Sequence, residues 1–190
     1  MGDVIVMGPP GSGKGTQAKI VADQAGWVWL STGELFRLHA RVGSELGQLA
    51  RSFLDKGEYV PDDVTVRMVR ERMKEIPRAT RLLFDGFPRT VAQAQALDVL
   101  LSEIGRGVGG VVLLDVPRDE LTRRLTERAK KEYRSDDDPE VIATRYDVYM
   151  KQTAPLIEHY ERRKLLRRVD GRGTPEEVGA RFKKALEGTD

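Results

Sequence analysis

The fold of this chain is decided by residues 8–17, which read GPPGSGKGTQ. This stretch follows a short β-branched strand pattern at 4–7 and precedes a helical pattern, the setting in which a glycine-rich loop binds phosphate. Glycines let successive backbone N–H groups point at phosphate oxygens, the helix N-terminus adds positive potential, and Lys14 adds a full charge. The stretch therefore predicts a phosphate-binding loop made of Gly11, Ser12, Gly13, Lys14, Gly15 and Thr16.

The loop departs from the strict phosphate-loop pattern at one position. That pattern has Ser or Thr directly after the lysine, whereas Gly15 stands there and Thr16 follows one place later. A dinucleotide-binding loop is the nearest alternative, but Thr16 occupies the place of its third glycine and no acidic residue ends the second strand pattern. A glycine-rich turn without a ligand is disfavoured, because eight specified residues coincide by chance about once in 10^10 positions.

Outward from the loop, short apolar strand patterns alternate with helical patterns along the whole chain. The strand patterns lie at 4–7, 27–30, 82–84, 111–114 and 166–169. The helical patterns lie at about 14–24, 33–39, 46–56, 62–76, 90–102, 118–131, 138–163 and 174–187. This alternation predicts an α/β fold of the P-loop NTPase type, with a parallel five-stranded sheet and helices on both faces.

Two stretches exceed what the crossovers of such a sheet require. About 50 residues separate the second and third strand patterns, so the mostly helical stretch 32–60 is predicted to form a small insert beside the sheet. The polar stretch 130–138 also exceeds what a crossover requires, and it is too short for a domain of its own. With neither an internal repeat nor a low-complexity segment, residues 1–190 are expected to form a single domain.

The composition argues against several classes of protein. Lys and Arg number 32 against 30 Asp and Glu, so the net charge of +2 does not suggest a polybasic nucleic-acid surface. Of these cations 22 are arginine, which favours bidentate binding of phosphate or carboxylate. The longest apolar run, at 111–114, is far shorter than the ~20 residues of a membrane helix, and the N-terminus has no signal-peptide pattern. Without cysteine there is no disulfide, thiolate zinc site or cysteine nucleophile, and the cytoplasm is the default compartment.

Several further motifs occur in the order found in one enzyme family. They are LSTGELFR at 30–37, KGEYVPD at 56–62, DGFPRT at 85–90 with Gln93, and RSDDD at 134–138 followed by Arg145. Together with the phosphate loop they make the chain resemble the nucleoside monophosphate kinases over nearly its whole length, and specifically the adenylate kinases with a short lid. The resemblance implies a reversible phosphoryl transfer from MgATP to AMP that gives two ADP.

The resemblance implies that the donor ATP is bound by the phosphate loop and by arginines further along the chain. Arg124, Arg128 and Arg172 are the expected ATP-binding arginines, with Arg124 beside the donor adenine. Without the other motifs, Arg124 and Arg128, four apart on a helix, would be interpreted as a solvated basic face. Catalysis consists mainly of positioning and charge neutralisation. The implied catalytic residues are Lys14, Arg89, Arg128, Arg134 and Arg145.

The acceptor AMP is expected beside the insert. By resemblance Arg37 and Arg89 bind its phosphate, and Thr32 and Gln93 face its adenine, since an amide offers a donor and an acceptor together. Without the resemblance Thr32 would be a helix N-cap and Gln93 a solvated helix residue. The full set of expected AMP-binding residues is Thr32, Arg37, Gly57, Tyr59, Val60, Gly86, Arg89, Gln93, Arg134 and Arg145.

Magnesium is the expected cofactor. The apolar strand pattern at 82–84 ends at Asp85, which by resemblance holds Mg²⁺ through water, with Thr16 as a second ligand. Asp115 ends another strand in the same way and is interpreted as a turn residue. Relatives with a longer lid sometimes carry a four-cysteine metal site, so the short lid at about 129–138 and the lack of cysteine predict no structural zinc.

The expected partners are therefore nucleotides, with neither nucleic acid nor membrane, and the enzyme is expected to be a cytoplasmic monomer. Two alternatives remain open. A UMP/CMP kinase would share the loop and most of the arginines but usually differs at the residues equivalent to Thr32, Thr90 and Gln93. A regulatory nucleotide-binding switch could use the same loop without chemistry, although Arg37 and Arg89 argue against it because a switch needs no second phosphate clamp.

Overall fold

A computed structural model describes residues 2–132 and 138–187 of the chain. The strands in these ranges are β1 (Gly2–Met7), β2 (Val28–Ser31), β3 (Leu82–Asp85), β4 (Gly107–Asp115) and β5 (Leu166–Asp170). They form one parallel sheet in the order β2-β3-β1-β4-β5, which confirms the predicted five-stranded sheet. β1 lies at its centre, so the loop that leaves its carboxyl end has β3 and β4 on either side.

Helices cover both faces of the sheet. The described helices are α1 (Lys14–Ala25), α2 (Thr32–Arg41), α3 (Glu45–Leu54), α4 (Asp62–Lys74), α5 (Val91–Ser102), α6 (Arg118–Glu132), α7 (Pro139–Val148), α8 (Pro155–Arg162) and α9 (Pro175–Leu186). α1 and α9 pack on one face, and α4, α5 and α8 contribute to the core on the other. No helix in the described ranges has the length and apolar character needed to cross a membrane.

The central strand is apolar along its length because both of its faces are buried. Successive side chains of a strand point to opposite faces. Val4 and Val6 pack in the core with α1 and α9, whereas Ile5 and Met7 pack in the core on the other face. Burial on both faces is the reason that this strand reads as a continuous apolar run instead of an alternating one.

The stretch 32–60 forms the predicted insert from α2, α3 and the loop after them. The two helices approach closely at Gly47, where a Cβ atom would lie 2.2 Å from the carbonyl group of His39. Phe36, Ala50 and Val60 are buried in a small core that also contains the first part of α4. The insert therefore shares a small apolar core with the start of α4, and Leu35 packs against both this core and one core of the sheet.

The prediction of a single helix over 138–163 is wrong. Between α7 and α8 the chain makes a π-helical turn, Tyr149–Thr153, in which the Ala154 N–H donates to the Tyr149 carbonyl at 2.9 Å. The physical reason is Pro155, which has no N–H and whose ring clashes with a regular helical turn before it. The wider turn buries Tyr149 and Thr153 against the rest of the protein.

Candidate functional site

The glycine-rich loop joins β1 to α1 at the carboxyl end of the sheet. Gly11 and Gly13 have φ angles of 84° and 86°, in the left-handed region that glycine adopts without a steric penalty. Gly13 is the N-cap of α1, so the loop leads directly into the N-terminus of that helix. Ser12 is buried beneath the loop, and its N–H donates to the Pro9 carbonyl at 3.1 Å. These features are those of a phosphate-binding loop.

Lys14 lies at the centre of the site, where nearby negative charge compensates its positive charge only in part. Its Nζ atom is 3.4 Å from the Pro9 carbonyl oxygen. Burial, together with the charges of Arg89, Arg145 and Arg128, lowers the pKa of Lys14 to about 7, although Asp85 opposes the shift. Burial and neighbouring cations both disfavour the charged form of Lys14. An incoming anion, which this loop is built to receive, would stabilise that charged form.

Two cavities meet at Lys14. The first, about 480 Å³, lies between the sheet and the insert and is bordered by Phe36, Leu54 and Tyr59. The second, about 430 Å³, lies over the phosphate loop and is bordered by Thr16 and Trp29. The residues that line both cavities are Lys14, Gly33, Arg37, Gly86, Arg89 and Arg145. Ligands in the two cavities would thus meet at a cluster of cations.

Arg89 is held from several sides. Its Nε atom donates to the Gly86 carbonyl at 2.8 Å, and its guanidinium carbon lies 4.8 Å from the centre of the Tyr59 ring. Thr153 donates its hydroxyl hydrogen to the Arg89 carbonyl at 2.8 Å, so the Tyr59 hydroxyl must donate to Thr153, also at 2.8 Å. The insert loop and the π-helical turn therefore both fix the position of Arg89.

The remaining expected AMP-binding residues differ in their position. Arg37 borders the cavities and donates to Glu34 at 2.5 Å, and Gly57, which has a φ angle of 75°, borders the first cavity and packs its backbone against α7. Three others are buried and do not appear on either cavity wall: Thr32, Val60 and Gln93. Thr32 donates to the Gly86 carbonyl at 2.9 Å, which places its side chain directly behind the wall.

The amide of Gln93 is bonded at both ends. Its Oε1 atom accepts from the Arg89 backbone N–H at 2.8 Å, and its Nε2 atom donates to Asp62 at 2.7 Å. The carboxylate of Asp62 also accepts from the Thr90 hydroxyl at 2.8 Å. The sequence motifs assign no role at the site to Asp62 or Thr153. Asp62 stands in the motif at 56–62, whereas no linear signal marks Thr153.

The expected ATP-binding arginines lie in different surroundings. Arg124 spans from the phosphate loop to the loop after β5, since it donates to the carbonyls of Ser12 at 3.4 Å and Gly171 at 2.9 Å. Arg128 borders the second cavity. Arg172 is exposed and outside the cavity walls, and its hydrogen bonds hold the pKa of Asp170 well below its usual range. Arg134 lies outside the described residues, as does the part of the expected lid from 133 to 137.

Asp85 and Thr16 are the residues that could hold a metal ion. Asp85 ends β3 beside the loop, is almost fully buried, and accepts from the Ser31 hydroxyl at 3.2 Å. A Cβ atom on Gly15 would lie 3.3 Å from the Asp85 carboxylate, so glycine keeps this side of the carboxylate open. In residues 2–132 and 138–187, no three His, Asp or Glu side chains cluster to hold a metal by themselves. One carboxylate and one hydroxyl suit Mg²⁺, which keeps waters and binds substrate phosphates.

Two cavities that meet at the lysine of a phosphate loop are typical of kinases that move a phosphoryl group from one nucleotide to another. The family model described as adenylate kinase matches residues 6–165. The chain belongs to the adenylate kinase family. It is therefore a nucleoside monophosphate kinase, a transferase that binds nucleotides and uses ATP and AMP as substrates.

Curated relatives agree over nearly the whole chain. An adenylate kinase of Thermus thermophilus is 50% identical over 183 residues, which are 96% of this chain and 96% of the relative. One of Nocardioides sp. is 48% identical over 184 residues, 97% of this chain and 96% of the relative. One of Thermobifida fusca is 46% identical over 183 residues, 96% of this chain and 97% of the relative. The similarity thus includes the loop, the insert and the later strands together.

Proposed function

We propose that the chain transfers the γ-phosphoryl group of MgATP to AMP at the junction of the two cavities. ATP occupies the cavity over the phosphate loop, and AMP occupies the cavity beside the insert. The observation that carries this proposal is the common wall of the cavities, to which Lys14, Arg37, Arg89 and Arg145 all contribute. A nucleotide switch requires a single phosphate site, whereas two adjoining sites suit direct transfer between two polyanions.

The cations at the junction act by positioning and by neutralising charge. Lys14 stabilises the charge on the oxygens of the phosphoryl group in transfer. Arg37 and Arg89 bind the phosphate of AMP, and a planar guanidinium can hold it with two hydrogen bonds. Further charge comes from arginines on the lid side. These are Arg128 and Arg145, which border the second cavity, and Arg134, whose role rests on the resemblance alone.

The two adenines are bound away from the junction. The adenine of AMP is proposed to contact Thr32 and Gln93, which are buried behind the wall of the first cavity. Tyr59, Gly57 and Gly86 border that cavity and enclose the nucleotide, with the buried Val60 behind them. Arg124 flanks the adenine of ATP, and its bonds to the loop and to Gly171 support this position. Arg172 lies on the same loop as Gly171 and is the outermost of the proposed ATP-binding residues.

Magnesium is the proposed cofactor, held by Asp85 through water and by the hydroxyl of Thr16. When bound, the ion neutralises charge on the phosphates of ATP. Asp85 and Thr16 both border the cavity over the phosphate loop, which supports the assignment. Ser31 keeps the Asp85 carboxylate oriented by donating to Oδ2.

The proposed organisation is one domain with two accessory segments. The insert at about 32–60 binds the acceptor, and the short lid at about 129–138 covers the donor phosphates. Closure of both segments excludes water, which would otherwise hydrolyse ATP. The enzyme acts as a monomer in the cytoplasm, a proposal supported by the lack of cysteine and by the presence of all the proposed substrate-binding residues in one chain.

Formation of ADP from ATP and each of four monophosphates tests the proposal. We expect kcat/KM for AMP to exceed that for CMP, UMP and GMP by at least ~10^2, because each mismatched buried contact costs about 1–3 kcal/mol. Comparable values for CMP or UMP would favour a UMP/CMP kinase. Binding of ATP without transfer to any of the four would favour a nucleotide switch.

A further inference from the structure

We propose that Asp62 fixes the orientation of the Gln93 carboxamide and so makes the acceptor site select adenine over guanine. The inference rests on the proposed contact between Gln93 and the acceptor base. Neither the sequence motifs nor the family resemblance gives Asp62 a role at the site. Asp62 is the first residue of α4 and follows the insert directly in the chain.

The two bonds of the Gln93 amide permit only one orientation. The side chain is 1% exposed, Nε2 faces the Asp62 carboxylate at 2.7 Å, and Oε1 faces the Arg89 backbone N–H at 2.8 Å. A carboxylate can only accept a hydrogen bond, and a backbone N–H can only donate one. Turning the amide by 180° would put oxygen against oxygen and N–H against N–H. Both neighbours therefore oppose the turned amide.

Asp62 is itself held in place. One of its carboxylate oxygens accepts from Gln93, and the other accepts from the Thr90 hydroxyl at 2.8 Å. The same hydroxyl accepts from the Gln93 backbone N–H at 3.1 Å as the N-cap of α5. A carboxylate at the first residue of α4 is also favoured by the positive end of the helix dipole. Asp62 is thus a fixed acceptor against which the amide is oriented.

The fixed amide suits one purine and opposes the other. Among the described residues, one N–H and one lone pair of the Gln93 amide have no protein partner. Adenine offers a donor on its 6-amino group and acceptors on the neighbouring ring nitrogens, whereas guanine has an acceptor at position 6. A lone pair that receives the 6-amino group of adenine would repel the 6-oxygen of guanine. A turned amide would accommodate guanine. Holding the amide in its present orientation therefore excludes guanine.

The test is the Asp62→Asn variant, whose amide can donate as well as accept and so tolerates the turned Gln93. With ATP saturating, kcat/KM is measured for AMP and for GMP. We expect the AMP-to-GMP ratio to fall about 10-fold, the effect of removing one opposing contact, while KM for ATP stays the same. A purely structural role for Asp62 would lower both kcat/KM values together and leave their ratio unchanged.

Asp63→Asn is the matched control, because it removes the same charge from the next, exposed residue of α4. Its AMP-to-GMP ratio should equal that of the native protein. In a Gln93→Ala background the Asp62→Asn change should have no further effect on the ratio, since the amide on which it acts is absent. Asp62→Ser, whose hydroxyl can also donate or accept, replaces Asp62→Asn should that variant fold poorly.

An unchanged ratio in a folded Asp62→Asn or Asp62→Ser protein would overturn the inference. A fall that persists in the Gln93→Ala background would also overturn it, because Asp62 would then act through another residue. After either of these outcomes, phosphorylation of AMP by the native protein would leave the proposed function intact. Failure of the native protein to phosphorylate AMP would overturn the proposed function, and this inference with it.

Discussion

Lys14 shares its cavity with the guanidinium groups of Arg89, Arg128 and Arg145, with Asp85 as a counter-charge. Burial and these neighbours lower the pKa of Lys14 to about 7, so the free protein holds this proton weakly near neutral pH. Phosphate groups in the cavity reverse the balance because they favour the charged form. At the residue scale, binding of the donor and protonation of Lys14 are therefore coupled.

Replacing Lys14 with methionine should lower kcat by at least ~10^2, because one preorganised charge donor at the transferring group is lost. The change keeps most of the side-chain volume, so the fold should be retained. Lys74→Met is the control, since Lys74 lies on α4 away from both cavities, is exposed and is paired with Glu71. Steady-state kinetics and circular dichroism of both variants provide the measurement. More than a tenth of the native kcat in Lys14→Met would contradict the role.

Donor binding at pH 8 should take up close to one proton. Above the pKa of about 7 the free Lys14 is mostly neutral, whereas the bound phosphates keep it charged. At pH 6 Lys14 is already protonated, so its uptake should be small. Calorimetric titration with ATP in two buffers of different ionisation enthalpy measures the uptake. A binding enthalpy at pH 8 that is the same in both buffers would contradict the coupling. In Lys14→Met the proton uptake should be absent.

At the scale of elements, helix α9 shows how a local pattern fixes a boundary. Thr174 accepts from the Glu177 N–H at 3.3 Å, and Glu177 accepts from the Thr174 N–H at 2.9 Å, which completes a capping box. Pro175 occupies the first helical position, where no N–H is needed. Because α9 packs on α1 through Phe182 and Val178, its start supports the face of the sheet behind the phosphate loop.

Thr174→Ala should lower the free energy of unfolding by about 1 kcal/mol, the typical cost of losing an N-cap. For a chain of this size the melting temperature should fall by about 2–4 °C, with kcat unchanged. Thr122→Ala is the control, since Thr122 is exposed within α6 and donates only to the carbonyl of its own helix. Its melting temperature should stay the same or rise. An equal fall in the melting temperature of both variants would show that the capping box contributes nothing to stability.

The sequence predicts the strands because each apolar run is bounded by glycine, serine or aspartate, and it fails where tertiary contacts decide. The apolar pattern predicts the start of the fourth strand at 111, but β4 begins at Gly107. Pairing with β1 holds Gly107 and Gly110 in the sheet, although glycine has a low strand propensity. The sequence does not predict the π-helical turn, because the helical period continues through it. Pro155 is the local signal for an interruption.

The residues on the cavity walls follow from linear motifs, whereas their supports do not. Asp62 and Gln93 are 31 positions apart, and Tyr59 and Thr153 are 94 apart, yet both pairs are hydrogen-bonded. These contacts depend on how α4, α5 and the π-helical turn pack together, which no local pattern encodes. The sequence therefore predicts which residue types meet the ligand but not what holds them there.

For the whole molecule, the insert packs around a small core that it shares with the start of α4. Family resemblance implies closure over the nucleotides, and the small core around Phe36 and Ala50 is consistent with such a motion. Amide hydrogen exchange in 32–60 should be faster than in β1 and β4, and a two-substrate mimic should slow it. Exchange that is equally slow in the insert and the sheet, with and without the mimic, would contradict the expectation.

Trp29 borders the cavity over the phosphate loop, and the one other tryptophan of the 190 residues is Trp27, stacked under Arg81 just outside β2. The protein therefore carries its own fluorophore at the donor site. ATP should change the emission, whereas AMP, in the other cavity, should change it little. Trp29→Phe should abolish the response and Trp27→Phe should retain it, and a response that survives in Trp29→Phe would contradict this. Donor affinity can then be measured by fluorescence titration on the native protein, without a label and separately from turnover.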